Sequence, residues 1–184
     1  MPASQASAGN LLRLIRSGRA TTRGELQQAT GLSRSTVGHR LDQLFSAGWL
    51  RETSGASPGG AVTGRPSAHL EFDSTHAVVL AVDVETRHAK AAVLDLTGQV
   101  LAEHAAPLLV SDGPELVLDT LARWFPPLLA KAGSAASRVC GIGISVPGPV
   151  DWKTGRVVQP PIMPGWDQYP IPLRMQQAYG RHVS

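Results

Sequence analysis

The sequence predicts an α+β fold in two successive units: a small one of three short helices and a two-stranded hairpin, then a larger α/β one. Three observations carry this. Apolar residues recur at helical spacing as far as Ala47, and strand-type runs of Val, Ile, Leu and Ala take over from Val78. Between them, two short strands flank a Gly/Ser/Pro-rich stretch. With 184 residues there is room for one ordinary domain and a small second one, and the boundary is placed between residues 73 and 74.

In the first unit, Leu11, Leu12, Leu14 and Ile15 gather on one side of a helix while Arg13 and Arg16 point away, and Gly18 stops it. Thr22 and Glu25 have capping-box spacing, Leu26 and Ala29 follow three residues apart, and Gly31 ends this second helix. Leu32 sits in a tight turn and Ser33 caps a third helix over residues 34–47, with Val37, Leu41, Leu44 and Phe45 as its buried stripe. Its opposite face carries Ser35, Gly38, His39 and Asp42, flanked by Arg34, Thr36 and Arg40. A helix that enters the DNA major groove needs hydrogen-bonding side chains near its N-terminus, and no bulk where a residue such as Gly38 approaches the backbone.

Trp49 to Glu52 reads as a strand, and Leu70 and Phe72 alternate in a second one. The stretch between them, TSGASPGGAVTGRPSAH, has one charge, Arg65, on a Pro-stiffened Gly64-Arg65-Pro66 backbone. That is a wing: a hairpin whose tip can place a guanidinium in a narrow minor groove. Three helices and a wing make a winged helix-turn-helix, with Arg34, Ser35, Thr36, His39, Arg40 and Arg65 as its candidate DNA contacts.

Charge supports a polyanionic partner. Residues 1–72 hold eight Arg, no Lys and four acids, a net of +4, whereas the remainder carries nine bases and ten acids. Composition is that of a globular protein, with 42% hydrophobic and 17% charged residues, and no apolar run approaches the roughly 18 residues of a membrane span. The opening MPASQASAGN lacks the basic and apolar regions of a secretory signal, and the single Cys140 excludes an intrachain disulfide; a cytoplasmic setting is expected.

In the second unit, strands are expected over residues 78–84, 89–96 and 100–105, with Thr97-Gly98 as a turn. Gly113-Pro114-Glu115 opens a helix carrying Leu116, Leu118, Leu121 and Trp124. Pro126-Pro127 falls inside it, and an interior proline costs about 3 kcal/mol, so a break or kink is expected at Phe125. A strand over 139–146 ends in Pro147-Gly148-Pro149; a strandless loop and a helix from Pro172 to Tyr179, ended by Gly180, follow. Gly143-x-Ser145-x-Pro147 approximates a hydrolase nucleophile elbow, but Pro replaces the second Gly and no helix follows at once. The six histidines lack the spacing of a zinc site, so no metal and no cofactor is expected.

The run GELQQATGLSRSTVGHRLDQLFSAGWLRE followed by GRPSAHLEF resembles the winged helix-turn-helix of repressors in the ROK family (repressors, open reading frames and sugar kinases). The order β-β-β-α-β-α resembles the first part of the actin-like ATPase fold used by that family. GIGISVPGPVDWKTGRVVQPPIMPGWDQYPI resembles the segment beside its sugar site. The resemblance implies Gly148, Pro149, Pro161 and Ile162 as effector contacts, with Ile162 standing where the family often has Asn. It implies a sequence-specific regulator, a repressor of carbohydrate-related genes. Such a regulator binds a palindromic double-stranded operator as a homodimer and answers to a sugar or sugar phosphate.

Two departures argue against enzymatic activity. ROK kinases follow the first-strand Asp with a Gly-Gly-Thr phosphate loop, whereas Asp83 is followed by Val84-Glu85-Thr86-Arg87. The family's catalytic Asp follows a fifth strand that would begin at His182-Val183, so the expected effector domain is incomplete. The alternatives are a ROK-type sugar kinase with an N-terminal extension, and a truncated gene product in which only the DNA-binding unit functions. In the latter, a four-stranded sheet would leave an unpaired edge and an open apolar face.

Overall fold

The computed structural model describes residues 7–53, 68–179 and 182–183. The Gly64-Arg65-Pro66 segment, and with it the Arg65 contact expected in the wing, lies outside the described residues. The chain divides into two compact units, Met1–His76 and Ala77–Ser184. The segment after the hairpin stays with the first unit because Asp73 donates its N–H to the Trp49 carbonyl and His76 packs edge-on against Trp49.

The first unit contains α1 (Ala8–Arg16), α2 (Arg23–Thr30), α3 (Arg34–Ser46), β1 (Leu50–Thr53) and β2 (His69–Phe72). Each helix starts on the side chain its sequence offers. Ser7 caps α1, Thr22 and Glu25 close a reciprocal capping box on α2, and Ser33 accepts from the Thr36 N–H at the head of α3. Gly31 ends α2 at φ 69°, a left-handed conformation that glycine adopts without a Cβ clash. Leu11, Ile15, Leu26, Val37, Leu41 and Leu44 form a continuous core with Leu50 and Leu70 from the hairpin. β1 and β2 pair antiparallel, Leu50 opposite Phe72 and Thr53 opposite His69, and the Leu70 N–H donates to the Thr21 carbonyl at 2.7 Å. The base of the hairpin is thereby tied to the loop between α1 and α2.

The second unit is an α/β sheet of five strands in the order β5-β4-β3-β6-β9. β3 (Val78–Val84), β4 (His88–Asp95) and β5 (Val100–Pro107) form an antiparallel meander; β6 (Val139–Ser145) and β9 (His182–Val183) add parallel to β3 and β6 in turn. The fifth strand, expected to begin at His182-Val183, is present there as the two residues of β9. Val78, Leu80, Val82 and Val84 alternate into a core shared with α4 (Pro114–Lys131), through Val117, Leu118, Leu121, Phe125, Leu128 and Leu129. The intervening Asp83 is exposed on the other face.

Two expectations are corrected. Of the break or kink expected at Phe125, the break is absent: α4 runs unbroken through Pro126 and Pro127. Both prolines are exposed, so the backbone hydrogen bonds they cannot make are lost on the water side, while Phe125, Leu128 and Leu129 bury on the other. The strandless loop after Pro149 instead holds a miniature hairpin, β7 (Val150–Asp151) and β8 (Arg156–Val157). Asp151 builds its turn by accepting the Lys153 N–H at 2.8 Å, and Gly155 completes it at φ 64°. The chain then reaches α5 (Ile171–Tyr179), whose Pro172 lies against the open face of Gly155.

Candidate nucleic-acid interface

α3 is held by its buried side, Val37, Leu41 and Leu44, which fixes what the other side presents. Arg34, Ser35, His39 and Asp42 are exposed, while Thr36 and Arg40 are half-buried. At Gly38 an added Cβ would meet nothing within 4 Å, so the helix surface is open to close approach there.

The hydroxyls at the head of α3 form a connected group. Ser33 Oγ lies 3.0 Å from Ser35 Oγ and 2.9 Å from Thr36 Oγ1, besides accepting the Thr36 N–H. No acid stands in the first turn, so the partial positive charge of the helix start is left uncompensated.

Most arginines of this unit are committed elsewhere. Arg23 pairs with Glu52 and Arg51 with Glu71, each at 2.9 Å; Arg13 donates to Asn10, and Arg16 lies over the Phe72 ring. Arg40 donates through Nη1 to Gln43 Oε1 at 3.2 Å, and its Nε is buried without a partner among the described residues. Arg19 and Arg34 alone of the described arginines in this unit have no side-chain partner. Of these, Arg34 lies on α3, beside Ser35 and about one and a half turns before His39. The structure thus brings Arg34, Ser35, Thr36, His39 and Arg40 onto one helix, with different freedom: Arg34 is unengaged, Arg40 is held. Sequence reasoning missed Gln43, which contacts both Arg40 and His39; the available signal was its spacing of three and four residues from them.

The expected effector contacts lie in the second unit. The Pro149 carbonyl accepts the Val158 N–H at 2.9 Å, which places Gly148-Pro149 alongside the loop that carries Pro161 and Ile162. Pro149, Pro161 and Ile162 are exposed. Gly148 serves packing: a Cβ there would stand 2.9 Å from Met163 Sδ and 3.2 Å from Pro160 Cβ. The loop is pinned at both ends by residues with positive φ, Gln159 at 45° and Gln168 at 57°. The Gln159 N–H donates to Asp167, the Gln168 N–H to the Val157 carbonyl, and Arg156 to the Gln168 carbonyl. Trp166, inside the loop, is fully buried.

Where a phosphate loop would follow Asp83, the chain makes a tight turn in which the Glu85 N–H donates to the His88 carbonyl at 2.8 Å. Asp83, Glu85, His88 and Lys90 line a cavity of about 200 Å³ there. No group of three or more His, Cys, Asp or Glu able to hold a metal ion occurs among the described residues. No described helix is long and apolar enough to cross a membrane.

The family model described as "ROK family" matches residues 79–184. The chain belongs to the ROK family. Among ROK relatives, it is 28% identical over 191 residues to a transcriptional regulator of Mycobacterium tuberculosis, covering 98% of this chain and 40% of the relative. It is 25% identical over 169 residues to the xylose repressor of Bacillus subtilis, covering 92% of this chain and 42% of that protein. The chain therefore spans about two fifths of the length of these relatives.

Among solved structures, a ROK family transcriptional regulator, a homolog of the E. coli MLC protein, superposes with a TM-score of 0.78 at 22% identity. That match covers 97% of this chain and 44% of the other. It shows the fold: a helical N-terminal region followed by the sheet of the ROK, actin-like ATPase type. An inorganic polyphosphate/ATP-glucomannokinase from Arthrobacter sp. strain KM matches with a TM-score of 0.50 at 23% identity, over 59% of this chain and 43% of its own.

Proposed function

We propose that this chain is the DNA-binding and leading effector portion of a transcriptional repressor of carbohydrate-related genes. Residues 1–73 act as the winged helix-turn-helix DNA-binding domain and residues 74–184 as the start of the effector domain. The protein binds a palindromic double-stranded operator as a homodimer, α3 reading the major groove through Arg34, Ser35, Thr36, His39 and Arg40 while Arg65 anchors the wing. A sugar or sugar phosphate held near Gly148, Pro149, Pro161 and Ile162 is its effector.

The observation that carries this reading is the exposed, acid-free start of α3 with Arg34 unpaired on it. A free guanidinium beside the positive end of a helix suits phosphate and guanine acceptors, and the buried Val37, Leu41 and Leu44 hold the helix in place. The regulators matched above extend over nearly the whole chain, including the helical unit, and a regulatory rather than catalytic role accords with them. The turn at Glu85 supports the same reading, since a carboxylate there would repel the phosphates of ATP.

Selection of binding sites from random duplex DNA by the full chain tests the proposal. An enriched palindrome, bound with an affinity that falls as salt rises, is the expected result. Failure to enrich any sequence overturns it, and phosphoryl transfer from ATP to a hexose would restore the kinase reading.

A further inference from the structure

We propose that Gln43 is a positioning residue of the α3 surface, which fixes His39 as a hydrogen-bond donor through Nδ1 toward an acceptor on a major-groove base edge. The inference rests on the DNA-binding reading above and specifies how one of its residues is used.

The argument follows from hydrogen-bond valence. A guanidinium has donors only, so the Gln43 atom that Arg40 Nη1 meets at 3.2 Å is the carbonyl oxygen. The other terminal atom of the same amide is then the NH₂, and it stands 3.4 Å from His39 Nε2. An NH₂ group can only donate, so Nε2 accepts and carries no proton. The ring proton must sit on Nδ1, which has no partner among the described residues. Arg40 thus orients Gln43, and Gln43 selects the His39 tautomer.

All three side chains belong to one helix face, at positions three and four apart, so the arrangement needs no partner from another element. Gln43 and His39 are exposed, and Arg40 is half-buried with its Nε enclosed. A neutral imidazole with Nδ1–H presents one donor. The acceptors it fits in the major groove are purine N7, guanine O6 and thymine O4; the amino groups of adenine and cytosine offer it nothing.

The test uses the full chain. Long-range ¹H–¹⁵N correlation spectra at about pH 8, where an ordinary imidazole is neutral, report the proton position in each histidine ring. The wild type should show His39, assigned from His39→Ala, as the Nδ1–H form. Gln43→Glu keeps the contact to Arg40 but turns an acceptor toward the ring, and should move the proton to Nε2. Gln43→Ala should give a mixture. An Nε2–H wild type, or a tautomer ratio unmoved by both variants, overturns the proposal.

Binding to the selected site supplies the second readout. Gln43→Ala should weaken it about five-fold, the equivalent of one hydrogen bond, with affinity for random duplex unchanged. In a His39→Ala background the same substitution should add nothing, because its partner is gone. Equal losses on selected and random DNA, or additive losses in the double variant, overturn it. If no sequence is selected at all, the DNA-binding reading fails and this proposal falls with it, whereas a wrong tautomer with intact selection removes this proposal alone.

Discussion

Trp166 donates its indole N–H to the backbone carbonyl of Val110 at 2.9 Å, from a site in which the ring is fully buried. This bond joins the loop after β8 to the turn that precedes α4. Trp166→Phe removes the donor and leaves the Val110 carbonyl with only the longer bond from the Gly113 N–H at 3.4 Å, at a cost of about 1 kcal/mol besides the lost packing. Urea unfolding followed by circular dichroism should show a lower midpoint. Trp152, on the tip of the β7–β8 hairpin and 85% exposed, provides the control: Trp152→Ala should change stability by no more than about 0.5 kcal/mol.

Thr22→Ala breaks the capping box and should destabilise the first unit by about 1 kcal/mol. The Glu25 carboxylate accepts the Thr21 and Thr22 N–H groups, and the Thr21 bond is the chief reason that its pKa is lowered. The folded state therefore holds this proton less tightly than the unfolded chain does. The stabilisation is present above the ordinary glutamate pKa and is lost as pH falls through the lower, folded value. Glu25→Gln should flatten that part of a stability profile measured between about pH 2 and pH 6.

Tyr169 donates its hydroxyl to Glu115 Oε1 at 2.6 Å, and burial, reinforced by the Glu115 carboxylate, pushes its pKa up to about 12. An ultraviolet titration of the phenols should show Tyr169 ionising well above the ordinary tyrosine range. Glu115→Gln should bring it down. Because the folded pKa is raised, this contact stabilises fully below the ordinary tyrosine value and is lost as pH rises through the folded one.

Arg34→Ala should weaken binding to the selected duplex by about 1–3 kcal/mol, measured by fluorescence anisotropy at fixed salt. A base contact relaxes the preference at one position of the site. A phosphate contact lowers affinity on all sequences alike and reduces the salt slope by about one unit.

Local chemistry was legible in the sequence where its cause was also local. The spacing of Thr22 and Glu25, the Ser33 cap and the Gly31 stop are all within one helical turn, and all appear as expected. The alternation of β3 was readable because one face meets a continuous core. The unbroken α4 was not, because what outweighs Pro126 and Pro127 is burial of Phe125 and Leu128 against distant strands. The β7–β8 hairpin, with two residues in each strand, is too short to show a period. At the candidate interface, the residue types were evident, but which arginines remain available was not. Arg23 and Arg51 are neutralised by Glu52 and Glu71, partners fixed only once the hairpin closes. That Gly148 also makes room for Met163 and Pro160 was not legible either, because both lie more than ten residues away in the sequence.

The aromatic contacts of the first unit also make one glycine the keystone of its last residues. Arg16 lies over Phe72, Phe72 stacks on Trp49, and the edge of His76 meets Trp49 at 4.9 Å between ring centroids. Gly48, at φ 80°, leaves the room that His76 fills, since a Cβ there would come within 2.4 Å of the imidazole. Any side chain larger than hydrogen at residue 48 would therefore displace His76 from Trp49 and loosen the segment after the hairpin from the foot of α3.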